Sequence, residues 1–228
     1  MTKETITPVE PEELLEKANS FYDRNKKIIL GVGGAIVLIV GGFIGYKKFV
    51  YEPKNTASKE AIWKSEYYLL DREDYNQAIN GDSLGRYRGF SEVASKYNGY
   101  QGGEIAQYGM GIAYLNMGQF QDAVNALKDV KFSDELLGAV AKGALGDAYI
   151  ELGDFSQALK SYMAAVNHSK NNLTAPVYLM KAALAHELLG EFDKAAGLYE
   201  RIKTDFPTAR EANSIDRYIE LANQKAGK

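Results

Sequence analysis

The chain has no cysteine among its 228 residues, which removes disulfides, thiolate metal sites and cysteine nucleophiles together. Only two histidines are present and they do not fall at metal-ligand spacing, so a histidine metal centre is not expected. Neither sign of charge dominates: the net charge is −3, no basic stripe runs through the body, and nucleic-acid binding is not expected. The motifs of common enzymes are missing as well. There is no G-x-S-x-G elbow. The Gly31-Val-Gly-Gly34 run follows no strand and lacks the acid of a nucleotide loop. The sequence points to no enzyme, no cofactor and no small-molecule substrate.

What is present falls into two parts. Ile28–Tyr46 is a run of 19 uncharged residues. As a helix it is about 28 Å long, close to the thickness of a bilayer core. Arg24, Lys26 and Lys27 precede it, Lys47 and Lys48 follow it, and Tyr22, Tyr46, Phe49 and Tyr51 lie near its ends. A transmembrane helix is expected over 27–49. A cleaved signal peptide is the poorer reading: the apolar run is too long, and the lead-in carries Glu4, Glu10, Glu12, Glu13, Glu16 and Asp23. Basic residues flank both ends about equally. The tail is about 178 residues long, and long domains cross membranes with little regard to charge. The cluster at 24–27 then acts as the retention signal, giving a cytoplasmic N-terminus and an exported C-terminal domain. Gly31, Gly34, Gly41 and Gly45 share one face of this helix, which predicts close packing against a membrane partner. Leu14, Leu15, Ala18, Phe21 and Tyr22 predict a short amphipathic head over 1–26. Pro53, Asn55, Thr56 and Ser58 predict a linker over 50–59.

The rest, 60–228, reads as helical hairpins throughout. Gly111, Tyr114, Gly118, Phe120, Ala123 and Leu127 recur at the same spacing as Gly146, Tyr149, Gly153, Phe155, Ala158 and Tyr162. They recur again as Ala183, His186, Gly190, Phe192, Ala195 and Tyr199, followed by Pro207. The steps between blocks are 35 and 37 residues. A repeat of this length marks a helical solenoid. Glu60–Ala78 and Leu84–Tyr97 are expected to form an earlier, degenerate pair turning at Gly81-Asp82. Thr208-Ala-Arg-Glu211 is expected to cap a last helix through Ile215, Tyr218, Ile219 and Ala222. His186 is read as a packing residue.

These blocks resemble tetratricopeptide repeats. The resemblance implies an all-α repeat domain, so that the chain reads as one transmembrane helix followed by a solenoid of about three to four hairpins and a capping helix. It also implies that the first helix of each hairpin lines an interaction groove. The mapped positions are Tyr108, Ile112, Leu115 and Asn116; Val140, Asp147, Ile150 and Glu151; and Val177, Met180, Leu184 and Glu187. Such a groove suits a peptide segment. Members that bind chaperone tails hold a carboxylate with Lys and Asn. Here Tyr108, Gly109, Ile112, Gly143 and Asp147 stand at those positions, so that subclass is not expected.

The layout as a whole is similar to the ancillary subunit of the bacterial Sec translocon, an inner-membrane protein with a periplasmic repeat domain. That likeness implies contact with the translocon and with periplasmic chaperones or secreted clients. The alternative is a scaffold for outer-membrane assembly, secretion or cell-wall machinery. Asn167-His-Ser and Asn172-Leu-Thr match an N-glycan pattern. Asp82-Ser83-Leu84 resembles a periplasmic O-glycan acceptor, with Ser83 as the acceptor.

Overall fold

The computed structural model describes residues 11–228. The first ten residues of the expected head lie outside them. The chain divides into two compact units, Met1–Pro53 and Lys54–Lys228.

In the first unit the main element is α1, Pro11–Tyr46, one helix through both the expected head and the expected span. Pro11 suits the first turn, where its missing N–H costs nothing. None of the residues of α1 is buried within the chain. It lies in the one helix, among the described residues, long and apolar enough to cross a membrane.

A π-helical turn, Lys47–Tyr51, comes next and leads into α2, Glu52–Leu70. The segment 50–59, expected to be a linker, is therefore helical. Pro53 cannot donate to the carbonyl one turn back. The wider turn before it absorbs the defect, with the Glu52 N–H bonded to the Lys47 carbonyl. Asn55 and Ser58 are not turn formers here. The Asn55 side-chain oxygen accepts from the Gln101 N–H at 2.9 Å, and the Ser58 hydroxyl accepts from the Gly102 N–H at 3.0 Å. They satisfy the first free N–H groups of α5, Gln101–Asn116, which its own cap residue Tyr100 does not.

The second unit is a stack of helical hairpins. Ile62 and Leu69 of α2 share a buried cluster with Ala78 and Ile79 of α3, Tyr75–Asn80, and with Phe90 and Val93 of α4, Phe90–Lys96. α5 pairs with α6, Phe120–Leu127; α7, Glu135–Glu151, pairs with α8, Phe155–His168; and α9, Ala175–Leu188, pairs with α10, Phe192–Asp205. A short 3-10 turn, Arg210–Ser214, leads to the capping helix α11, Ile215–Lys225. No strand occurs among the described residues; Gly81 and Arg88 form a lone bridge.

The repeat pattern has a direct cause in packing. The invariant alanines Ala123, Ala158 and Ala195 are fully buried where each second helix crosses the first. A Cβ added at Gly146 would meet the Tyr162 ring, so glycine there sets how near α8 comes to α7. Gly118, Gly153 and Gly190 turn the chain at φ of 72°, 74° and 72°, which costs least for glycine.

The first hairpin turns elsewhere than expected. The turn is at Asp71–Asp74, and Glu73 takes the glycine position at φ 52°. Tyr75 and the fully buried Ala78 then stand where Phe120 and Ala123 stand one repeat later. Residues 81–89, with Gly81 and Asp82, are an insertion that splits the second helix into α3 and α4. A non-glycine residue in this region costs about 1 kcal/mol. Glu73→Gly is therefore expected to raise the unfolding free energy by about 0.5 kcal/mol, the relief exceeding the added freedom of the unfolded chain. Urea denaturation checks this; a loss of stability contradicts the assignment of the turn.

The expected capping box at Thr208 does not form. The Thr208 hydroxyl accepts instead from the Asn172 side chain at 3.1 Å, tying the loop before α9 to the loop before α11. The helix starts later, with Ile215 and Ala222 buried against α10.

A groove on the first-helix face of the hairpins

Four of the mapped residues on α5, Tyr108, Ile112, Leu115 and Asn116, line one hollow of about 360 Å³ with Asp147 and Glu151 of α7. Val140, Ala144, Phe120 and Tyr178 complete its lining. The remaining mapped residues lie outside it. Ile150 and Met180 pack against the core of the later hairpins. Leu184 is half exposed on α9. Glu187 is engaged at the far end: it accepts from the Tyr199 hydroxyl at 2.8 Å and from Lys225 of α11 at 3.0 Å.

Asp147, half-buried, is the most connected acid of the hollow. It accepts from the Tyr162 hydroxyl at 2.7 Å and from Lys181 at 2.7 and 2.8 Å. Its charge is thus neutralised by a lysine from the next hairpin. Lys181 was not among the mapped positions, because the pairing joins residues 34 apart in sequence. It does not restore a carboxylate clamp either, since its ammonium is already spent on Asp147. Tyr199, Glu187 and Lys225 repeat the same triangle one hairpin later. In both, a tyrosine of the second helix donates to an acid of the first, and a lysine of the following element completes the pair.

Burial raises the tyrosines of this face. Tyr178 is pushed up to about 12, with the Asp147 charge adding to the effect. Tyr162 and Tyr199 are pushed further, by burial first and then by donation to their acids. The sign follows directly. The folded values lie above the ordinary value of 10, so their contribution is complete below pH 10 and is lost at higher pH, for Tyr178 as pH rises through about 12. Absorbance at 295 nm should show these groups ionising only with loss of helical circular dichroism. Ionisation of every tyrosine near pH 10 with the helices intact is the contrary result.

His186 is buried and faces Glu191 at 2.7 Å; Glu191 also bonds Lys194 at 2.7 Å. Hydrogen bonds from Lys194 first, and then from His186, hold the Glu191 carboxyl below its ordinary value. No group of three or more His, Asp or Glu that could hold a metal occurs among the described residues. The Gly31, Gly34, Gly41 and Gly45 face of α1 is open, with nothing within 4 Å of an added Cβ. Ser83 is exposed in the inserted loop. Beside it Asp82 is gripped by Arg86 at 2.7 and 3.0 Å, which lowers the Asp82 pKa to about 2. The Asn172 amide of the second N-glycan pattern is the one bonded to Thr208.

Comparison with known proteins agrees with the helical-hairpin fold. A family model described as the N-terminal domain of EccA1, a protein of the ESX-1 type VII secretion system, matches residues 68–217. The crystal structure of MamA protein is similar over 76% of this chain and 83% of its own, with 20% identity and a TM-score of 0.57. A kinesin light chain candidate from Podosopora anserina, built of nearly identical TPR-like repeats, is similar over 76% and 88%, with 17% identity and a TM-score of 0.56. At these identities the two structures establish the tetratricopeptide-like fold. No curated protein matches the chain.

Proposed function

The chain belongs to the family of the N-terminal domain of EccA1, the ESX-1 type VII secretion protein, and from that membership we propose that it is a membrane-anchored docking scaffold of a protein-secretion machine. The observation that carries the reading is the hollow between α5 and α7. It joins apolar walls to an internally neutralised Asp147 and presents no catalytic constellation. A tetratricopeptide-like solenoid works as a surface for other proteins, and stacked hairpins leave this face free for them.

In this reading α1 crosses a bacterial inner membrane, with the N-terminus cytoplasmic and the hairpins periplasmic. Its apolar run and the basic cluster Arg24, Lys26 and Lys27 support that orientation. The glycine face of α1 holds a membrane partner. Ser83, exposed in its loop, is the site open to O-glycosylation. A second reading is association with the Sec translocon and hand-over of secreted chains to periplasmic chaperones. The layout of one apolar helix followed by hairpins favours it.

Two measurements test these proposals. The chain lacks cysteine, so single cysteines report topology against a blank background. Ser214→Cys should react with a membrane-impermeant maleimide in spheroplasts and Ser20→Cys should not; the reverse pattern overturns the orientation. Purification of the full chain in mild detergent should bring down secretion-machine subunits. Translocon subunits and chaperones in their place select the second reading, and neither set overturns both. Leu at Gly41 and Gly45 should release the membrane partner alone.

A further inference from the structure

The buried core of the hairpin stack is not continuous. One core runs through α2–α5, from Ile62 to Ala113, and a larger one runs through α7–α11, from Ala139 to Ala222. Two small clusters lie between them. Ala123 and Val124 of α6 meet Ala148 of α7, and Val130 and Phe132 of the connecting loop meet Ala141 of α7. The buried residues that α7 contributes here are both alanines, each covering little apolar surface, and half-buried Leu145 and Tyr149 add the rest.

Polar ties show the same gap. In the leading half, Asn55 and Ser58 of α2 hold the first N–H groups of α5. In the trailing half, Tyr162, Asp147 and Lys181 link α8, α7 and α9, and Tyr199, Glu187 and Lys225 link α10, α9 and α11. At the α6–α7 junction this triangle cannot form. By the repeat spacing, Leu127 of α6 stands at the tyrosine position, and Ile112 and Leu115 of α5 stand at the positions of Asp147 and Glu187. None of these side chains can donate or accept a hydrogen bond.

The halves also differ in strength. α3, α4 and α6 have 6, 7 and 8 residues, against 14 to 17 in α7–α10. Helices this short depend on packing to exist. The leading half carries the strained Glu73, while the trailing half is closed by Ile215 and Ala222 of α11.

In a solenoid each hairpin touches only its neighbours, so stability is a series of local terms that a weak link can divide. We infer that the stack is two cooperative units joined at the α6–α7 loop, and that α2–α6 opens while α7–α11 stays folded. The hollow of about 360 Å³ lies across this seam. Tyr108, Ile112, Leu115 and Asn116 come from one side, and Val140, Asp147 and Glu151 from the other. Opening of α2–α6 therefore takes the hollow apart, and any occupant that touches both sides holds the units together.

Hydrogen exchange of the full chain in detergent micelles, read by mass spectrometry of its peptides in rising urea, tests this. Amides of α2–α6 are expected to lose protection at lower urea than those of α7–α11. Ile62→Ala removes a buried side chain of the leading half. It should speed exchange in α2–α6 by about a hundredfold and leave α7–α11 within about twofold. Should it melt α2–α6 outright, retained protection in α7–α11 supports the division equally. Tyr162→Phe deletes only the hydroxyl bonded to Asp147, and should speed exchange in α7–α11 by about tenfold while leaving α2–α6 unchanged. Loss of protection throughout at one urea concentration, or either substitution speeding both halves alike, overturns the inference. So does α7–α11 opening first.

Discussion

Phe90→Ala is expected to lower the unfolding free energy by about 3–5 kcal/mol, the usual cost of removing a fully buried aromatic ring. Phe90 has no exposure to solvent and opens α4 directly after the inserted loop. Its ring packs against Gly109 of α5, where no Cβ could fit beside it. It is therefore the point at which the split second helix is re-anchored to the stack. Without the ring, the surroundings relax only in part, because α4 is short and tethered by the loop. Thermal and urea unfolding measure the loss. A change under 1 kcal/mol would mean that the insertion, and not the ring, fixes α4.

The same substitution at two other glycines should act in opposite directions. An added Cβ at Gly102 would lie on the Ser58 backbone, so Gly102→Ala forces α2 and α5 apart and breaks the Ser58 cap of the Gly102 N–H. Backbone cannot rotate aside as a side chain can, and overpacking of this kind costs about 3 kcal/mol. Gly197 lies in α10 with nothing within 4 Å of its Cβ position. Gly197→Ala is expected to stabilise by about 0.5–1 kcal/mol through helix propensity alone. Equal effects at the two sites would contradict the close seating of α2 on α5.

That seating explains which parts of the fold were legible. Three repeats announced themselves because their signals are local. Gly118, Gly153 and Gly190 need positive φ, and Ala123, Ala158 and Ala195 need a small side chain at a crossing. The first hairpin carries the same crossing alanine in Ala78, but Glu73 occupies the glycine position. Turn chemistry then drew attention to Gly81-Asp82, which belongs to the insertion. Asn55 and Ser58 carry the composition of a linker. Their role depends on α5, more than forty residues away. No local pattern could reveal that.

The groove divides in the same way. Periodicity on the first helices found Tyr108, Ile112, Leu115 and Asn116, which come together. It also selected Ile150, Met180 and Glu187, which the next helices claim for packing and ion pairing. Lys181 and Tyr178 were missed, since each reaches the site from the next hairpin. Signals that do exist for them are weak: Lys181 sits one repeat length after Asp147, as Lys225 follows Glu187 across to the cap.

In the docking reading the first-helix face holds other proteins and the opposite face does not. Photo-crosslinking amino acids placed at Asn116, Leu137 and Leu184 on that face, and at Asp122 and Lys160 on the second helices, test it in living cells. All five positions are exposed. Crosslinks to secretion-machine subunits or secreted chains from the first three positions, and none from the other two, are the predicted result. Adducts from Asp122 and Lys160 with none from the groove would contradict it.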